Sequence, residues 1–486
     1  MLLSELLDSA VDGARNVEVL GLTADSREVG PGYLFAALRG SHTDGADFVA
    51  DALDRGAVAV LAADDARIDV PPDRAALVAD ANPRRRLALM AARFHGAQPA
   101  VVAAVTGTSG KTSTADFLRQ IWTHGGHRAA SLGTLGVIGA GVARKLPHTT
   151  PDPVTLHQCL AEIAGAGIDH LAIEASSHGL DQCRMDGVRV AAGAFTNLSQ
   201  DHLDYHPTLE HYLAAKLRLF DTVMAPGGTA LLNVDAPEYA RLRETCEMRG
   251  HRVVGYGRGA CDLQLVSATP DGDGQRLTVA LDGVRRELAF PLAADYQALN
   301  ALCAAGLAIA TGAAIDQALG ALEDLAGVPG RIELVARHAS GAPIYVDYSH
   351  KPDALANVLR ALRPQAIDRL VVVFGCGGDR DRAKRPMMGE IAARLSDWPI
   401  VTDDNPRTED PAAIRREILA GCPDATEIGD RAEAIGAAVS GLAAGDVLVI
   451  AGKGHEQGQI VGERVIPFDD AAAARDAVAV YGSAAP

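Results

Sequence analysis

Short apolar runs alternate with Ala/Leu-rich helical stretches along nearly the whole chain, and run after run stops at a polar, glycine-rich or acidic cluster. Val101–Val105 meets Thr106-Gly107-Thr108-Ser109-Gly110-Lys111-Thr112, and Leu171–Ile173 meets Glu174-Ala175-Ser176-Ser177-His178. Ile344–Val346 meets Asp347-Tyr348-Ser349-His350, and Leu370–Phe374 meets Gly375-Cys376-Gly377-Gly378-Asp379-Arg380. Pro399–Val401 leads to Asp403-Asp404-Asn405-Pro406-Arg407, and Val447–Ile450 to Ala451-Gly452-Lys453-Gly454-His455-Glu456. Strands that alternate with helices in this way fold as α/β layers around largely parallel sheets. Open parallel sheets bind ligands outside the carboxyl ends of their strands, so these clusters are the expected walls of binding crevices.

At about 150 residues per domain, 486 residues predict about three domains. A small N-terminal α/β domain is expected over 1–88, with strands at Tyr33–Leu38 and Ala57–Leu61, and a connecting helix over Pro83–Gly96. A central P-loop-type ATPase domain with a mostly parallel sheet is expected over 89–329, ending at the Pro329-Gly330 turn signal. A C-terminal Rossmann-like domain is expected over 330–486. The Ala-rich stretch Ala301–Ile315 reads as a buried helix, since it falls short of the roughly 18 apolar residues of a membrane span. No membrane partner is expected, and the start MLLSELLDSAVDG lacks the basic region of a secretory signal. Seven scattered cysteines without a CxxC pair suit a reduced, cytoplasmic setting. The formal charge of −17 and the lack of any basic block longer than Arg84-Arg85-Arg86 argue against nucleic acid as a partner.

The strand–loop–helix from Val101 to Leu118 carries the strongest chemical signal. Gly107 and Gly110 let backbone N–H groups turn toward a phosphate, Lys111 supplies a point charge, and Thr112 offers a hydroxyl to Mg²⁺. Val105 replaces the first glycine of the common P-loop, so the pattern is GxxGKT. Glu174 and His202 each end an apolar strand segment and can join Thr112 on a divalent ion. By its pattern alone, Lys216 is a surface lysine on an Ala/Leu helix. Cys376 reads as structural, and Asn233 and Asp235 as strand-end caps or nucleotide contacts.

These motifs, in this order and spacing, resemble the Mur ligases, which build the peptide of bacterial peptidoglycan. The resemblance spans essentially the whole chain. Gly107-Thr108-Ser109-Gly110-Lys111-Thr112, with Ser113, is similar to the family's ATP loop. Glu174–Leu180 and Asn197–Asp204 are similar to its magnesium segments, and Tyr212–Lys216 to the segment with a carbamylated lysine. Asn300, Arg331 and Asp347 resemble nucleotide contacts, and His350 lies in the same segment as Asp347. Ser26, Ser41, His42 and Thr43 resemble uridine contacts; Thr149, Thr150, Ser176, Gln182 and Arg184 resemble muramoyl or diphosphate contacts. Asp404-Asn405-Pro406-Arg407 and Gly452–Glu456 resemble the segments that select meso-diaminopimelate.

The resemblance implies an ATP- and Mg²⁺-dependent amide-bond ligase. Lys111, Lys216 (as carbamate), Glu174 and His350 would be its catalytic groups, with Thr112, Glu174, His202 and the Lys216 carbamate on metal. It implies UDP-MurNAc-L-Ala-D-Glu, ATP and meso-diaminopimelate as small-molecule substrates of a cytoplasmic monomer. Arg380 and Arg407 can clamp the distal carboxylate of diaminopimelate. Asp404 and Glu456 can take its ammonium, and Asn405 can do either. The amine proton has His350 or a nearby carboxylate as acceptor. Three other readings stay open at this stage: an L-lysine-adding sibling, a folylpolyglutamate-type ligase, and a non-catalytic nucleotide switch.

Overall fold

The computed structural model describes residues 1–7, 16–40, 43–202 and 205–481. They fall into two compact units, Met1–Leu263 with Cys303–Ala318, and Gln264–Leu302 with Leu319–Pro486. The chain is α/β throughout, and parallel pairs form the middle of every sheet of four or more strands.

In the first unit, β1 (Gly21–Thr23), β2 (Tyr33–Ala37), β3 (Ala59–Ala63) and β4 (Ala76–Asp80) form a parallel sheet in chain order. Successive residues face opposite sides of a strand. Leu34, Ala36 and Leu61 therefore pack on Leu87, Met90 and Ala91 of the helix Pro83–His95, while Phe35, Ala37 and Val60 pack on Val49 and Leu53 of the helix Val49–Asp54. β3 starts two residues later than the apolar run suggests. The Ala57 amide closes the preceding helix on Ala52 O, and pairing begins only with Val58 on Tyr33 O. The connecting helix forms as expected: Asn82 Oδ1 caps the Arg85 amide, Pro83 opens the first turn, and Gly96 ends it at φ 69°.

The larger sheet of this unit contains β5 (Val101–Thr106), β6 (Ala129–Gly133), β7 (Gly136–Gly139), β8 (Val142–Arg144), β9 (His170–Glu174), β10 (Val190–Phe195), β11 (Thr229–Asn233) and β12 (Arg252–Gly257). Their order is β12-β11-β10-β5-β9-β6-β7-β8; only β7 and β8 run antiparallel to their neighbours. β5 is central. Its Val105 pairs with Glu174 of β9 and Ala194 of β10, so three strand ends open at one level. The chain leaves β5 toward β6 on one side and leaves its neighbour β10 toward β11 on the other, which makes their adjoining carboxyl ends a topological switch point.

The second unit opens with β13 (Leu263–Asp271), β14 (Gly274–Leu281) and β15 (Val284–Phe290), the last two an antiparallel hairpin. A six-stranded sheet follows from β16 (Glu333–Arg337), β17 (Pro343–Asp347), β18 (Leu370–Phe374), β19 (Trp398–Val401), β20 (Thr426–Glu427) and β21 (Val447–Ala451). Its order is β16-β17-β21-β18-β19-β20, with only β16 antiparallel. One face packs Tyr345, Val372 and Phe374 on Leu355 and Leu359; the other packs Ile344, Val371 and Val373 on Ile435 and Val439. β22 (Gly458–Val461) and β23 (Arg464–Pro467) form a separate hairpin. Residues 301–308 are buried in the helix Asp295–Ala310, which stops before Thr311-Gly312. Among the described residues no helix is long and apolar enough to cross a membrane.

Candidate active site

The loop after β5 has the backbone its glycines require. Gly107 sits at φ 145°, and a Cβ there would lie 1.9 Å from Thr196 Oγ1. Gly110 caps the helix Lys111–His124 in the left-handed region at φ 88°. Lys111 Nζ donates to Gly107 O (2.9 Å) and Thr108 O (2.8 Å), which folds the ammonium over the loop. Asn197, beyond β10, clamps the loop: its carbonyl accepts from the Thr108 amide and its Oδ1 from the Ser109 amide. Ser113 is buried in the first helical turn.

Glu174 stands at the end of β9, 2% exposed. Its Oε2 accepts from Thr112 Oγ1 (3.0 Å) and Thr134 Oγ1 (3.2 Å), and its Oε1 from the Thr134 amide (2.7 Å). Those donors are all neutral. A buried carboxylate satisfied only by neutral donors is costly unless a cation joins it, and a hydroxyl beside a carboxylate is a hard oxygen set of the kind that suits Mg²⁺. The residues present thus fit the divalent ion. His202 has φ 53° and lies 3.5 Å from Asp201 through Nε2; its ring meets His178 edge-on at 4.8 Å. Leu203 and Asp204 of the same segment lie outside the described residues.

The residues that resemble muramoyl or diphosphate contacts form one network around Thr150. Its Oγ1 donates to Glu174 O and accepts from the Ser176 amide, while its carbonyl accepts from Arg184 Nη1 at 2.6 Å. Ser176 Oγ caps the Gly179 amide. Gln182 Oε1 accepts two bonds from Arg184, and its Nε2 donates to Tyr205. Thr149 reaches Thr134 at 3.0 Å. Ser26 is buried in a turn capped by Asp25, and Thr43 is exposed, its carbonyl accepting from Gly40. Ser41 and His42 lie outside the described residues.

Lys216 is not at the surface. It is 1% exposed in the helix Leu209–Arg218, with Nζ 2.7 Å from Gly107 O and 4.2 Å from the Tyr212 ring centroid. Burial, reinforced by the Lys111 charge, holds its pKa well below the ordinary lysine value. The amine therefore has a neutral form within reach, with the Gly107 loop as its neighbour.

In the second unit the Asp404–Arg407 and Gly452–Glu456 loops interlock. Asn405 donates from Nδ2 to Glu456 Oε2 (3.0 Å); its Oδ1 accepts from Lys453 Nζ (2.9 Å) and the Ile460 amide (2.9 Å). The Asn405 amide is thus engaged in orienting Glu456. Gly452 has φ 120°, and a Cβ there would stand 2.7 Å from Asp404 Oδ2. Arg407 has φ 53° and donates from Nη1 to Gly378 O (2.8 Å); the Pro406 carbonyl lies where a Cβ on Gly378 would be. Arg380 is exposed and bonds Asp379 O at 3.3 Å, while Asp379 ties this loop to Thr408 and Glu409. Buried Asp347 accepts from the Ile332 amide and Ser349, and burial raises its pKa. Arg331 stacks on Tyr348 at 4.8 Å, and its carbonyl accepts from Gln297, which also accepts from Asn300. Cys376 packs against Met388 with its thiol pushed up to about 12 by burial, as a structural cysteine should. Asn233 and Asp235 act as strand-end caps, bonding Thr196 O and the Arg258 and Gly259 amides.

Thr134, Lys453 and Arg431 were not among the expected site residues, yet Thr134 holds Glu174, and Lys453 holds Asn405 and Glu456. Arg431 is buried, paired with Asp470 by two 2.7 Å bonds, and donates to Ala451 O. Nothing in local pattern marks Thr134 or Arg431, but a lysine between two glycines after the apolar run Val447–Ala451 was an available signal.

His350 donates from Nδ1 to Tyr348 O at 2.9 Å, and burial holds its imidazole down to about 4. The fold keeps it neutral while the unfolded chain takes up a proton below about pH 6.5. Its contribution to stability is therefore complete above that pH and is lost as pH falls toward 4. The melting temperature of the wild type should fall more steeply across this window than that of His350→Gln; parallel curves would refute the assignment. Buried His157, also held down to about 4, acts equally in both proteins.

Three descriptions of known families match the chain: the Mur ligase family catalytic domain over 18–95, the Mur ligase middle domain over 105–308, and the Mur ligase glutamate ligase domain over 330–454. The chain belongs to the Mur ligase family of ATP-dependent ligases. Among its relatives is the UDP-N-acetylmuramoyl-L-alanyl-D-glutamate–2,6-diaminopimelate ligase of Bradyrhizobium diazoefficiens, 54% identical with 97% of each chain covered. The protein of that name from Agrobacterium fabrum is 53% identical, over 98% of this chain and 96% of its own. A solved structure of a ligase of the same name shares 30% identity and a TM-score of 0.74 over 99% of both chains.

Proposed function

We propose that this chain joins meso-diaminopimelate to the D-glutamyl carboxylate of UDP-MurNAc-L-Ala-D-Glu at the expense of ATP, for peptidoglycan precursor synthesis. The observation that carries the reading is the interlocked pair of loops in the second unit. It sets the carboxylates of Asp404 and Glu456 beside the buried Lys453 and leads directly into Arg407. An ammonium and a carboxylate on one carbon need such a set of opposite charges. The names of relatives near 54% identity agree with it.

The assignment of segments follows the chemistry: 1–88 for the uridine nucleotide, 89–329 for ATP and 330–486 for the amino acid. In the first step the D-glutamyl carboxylate oxygen attacks the γ-phosphorus in line, and ADP leaves. Lys111 and the loop amides hold the phosphates in place. Bound at Thr112, Glu174 and His202, Mg²⁺ would neutralise phosphate charge. In the second step the amine attacks the acyl carbon, phosphate leaves, and one proton is lost from nitrogen. His350, neutral with its hydrogen on Nδ1, presents Nε2 as an acceptor. Lys216 fits a carbamate, formed as its neutral amine adds CO₂ and releases a proton. The reading includes a monomer working in the cytoplasm, where its substrates are made.

The direct test supplies ATP, Mg²⁺ and the UDP-muramoyl dipeptide, adds diaminopimelate, L-lysine or glutamate separately, and measures phosphate release. Release with diaminopimelate alone is expected. Release only with L-lysine or only with glutamate would replace the substrate, and release with none would leave a nucleotide-binding switch.

A further inference from the structure

Lys453 is fully buried between the two loops of the second unit. Its ammonium donates to Asn405 Oδ1 at 2.9 Å and Glu456 Oε2 at 3.3 Å, and stands 3.8 Å from Asp404 Oδ1. Arg431, buried beside it, is already neutralised by Asp470. One ammonium against two carboxylates leaves this cluster a single net negative charge. A buried charge that is both paired and hydrogen-bonded is fixed in place and sets the local balance.

We propose that Lys453 is a positioning residue that decides which amino acid the ligase accepts. It aims Glu456 through Asn405 and holds the cluster at one negative charge. One negative charge takes up one ammonium and still tolerates a carboxylate on the same carbon, held by Arg407. Without Lys453 the cluster carries two negative charges. It then repels that carboxylate and draws a lone ammonium more strongly, which favours L-lysine. The inference rests on the diaminopimelate reading.

The test compares kcat/KM for diaminopimelate and for L-lysine in the wild type, Lys453→Gln, Lys453→Arg and Glu456→Gln, with KM for ATP as control. Lys453→Gln keeps a donor and loses the charge; the diaminopimelate-to-lysine ratio should fall by about tenfold or more through the amino-acid terms, with KM for ATP unchanged. Lys453→Arg should keep the ratio within about threefold. Glu456→Gln shifts the balance the other way and should raise the ratio. A purely structural lysine would lower both substrates alike, and an unchanged ratio in Lys453→Gln overturns the proposal. If that variant does not fold, an unchanged ratio in Glu456→Gln overturns it instead. Wild type that turns over no diaminopimelate removes the substrate reading and this inference together; wild-type turnover with unshifted ratios removes the inference alone.

Discussion

Lys216→Ala is expected to lose ligase activity by about 10²–10³-fold, the scale of deleting one charged group that acts on a reacting phosphate. The loss should fall on kcat, with ATP still bound by the loop. Bicarbonate or short-chain acids such as acetate should restore part of it by occupying the vacated volume with a carboxylate. Stability should move in the opposite direction. Burial lowers the Lys216 pKa, so the folded chain binds its proton less readily than the unfolded chain. That difference costs stability at every pH below about 10. In CO₂-depleted buffer, where the wild type carries the free amine, Lys216→Met, which keeps the packing volume, should therefore melt higher than the wild type while remaining inactive. Full activity of Lys216→Ala in CO₂-depleted buffer would sink the carbamate reading.

What could be read from sequence depended on how local the cause was. The strand–loop–helix at Val101–Leu118 and the clusters closing β9, β17, β18, β19 and β21 were legible because apolar periodicity and glycine chemistry act over a few residues. The ends of β3 were not, because a hydrogen bond from Ala57 to the preceding helix competes with strand pairing. The site shows the same division. Lys111 and Glu174 announce themselves by position after a strand, whereas burial of Lys216 comes from the tertiary packing of its helix against the Gly107 loop. Its Ala/Leu surroundings look the same in either case. Asn405 was legible as part of a motif but not in its role, since its three partners come from residues about 50 positions away. Thr134 had no signal at all: its bonds to Glu174 cross 40 residues and depend on the parallel pairing of β6 with β9.

Glu174→Gln separates the charge of this side chain from its shape. Gln can place its oxygen on the Thr134 amide and its NH₂ on the Thr112 and Thr134 hydroxyls, which can turn to accept, so all three contacts have a counterpart. Gly133, where a Cβ would collide with Glu174 Oε1, leaves room for this geometry. The fold should persist and become more stable, by a few degrees in melting temperature, because a buried anion that meets only neutral donors among the described residues has been removed. Activity should fall by about 10²-fold or more, since the carboxylate no longer helps hold Mg²⁺ beside the phosphates. The added stability that Mg²⁺ with ADP gives the wild type should shrink in the variant, as linkage between binding and folding requires. Thermal shift with and without Mg²⁺–ADP, run beside the phosphate-release assay, measures both effects. A variant that is destabilised yet keeps wild-type Mg²⁺ dependence would mean that Glu174 braces Thr134 and the β9 strand end and leaves the metal to other groups.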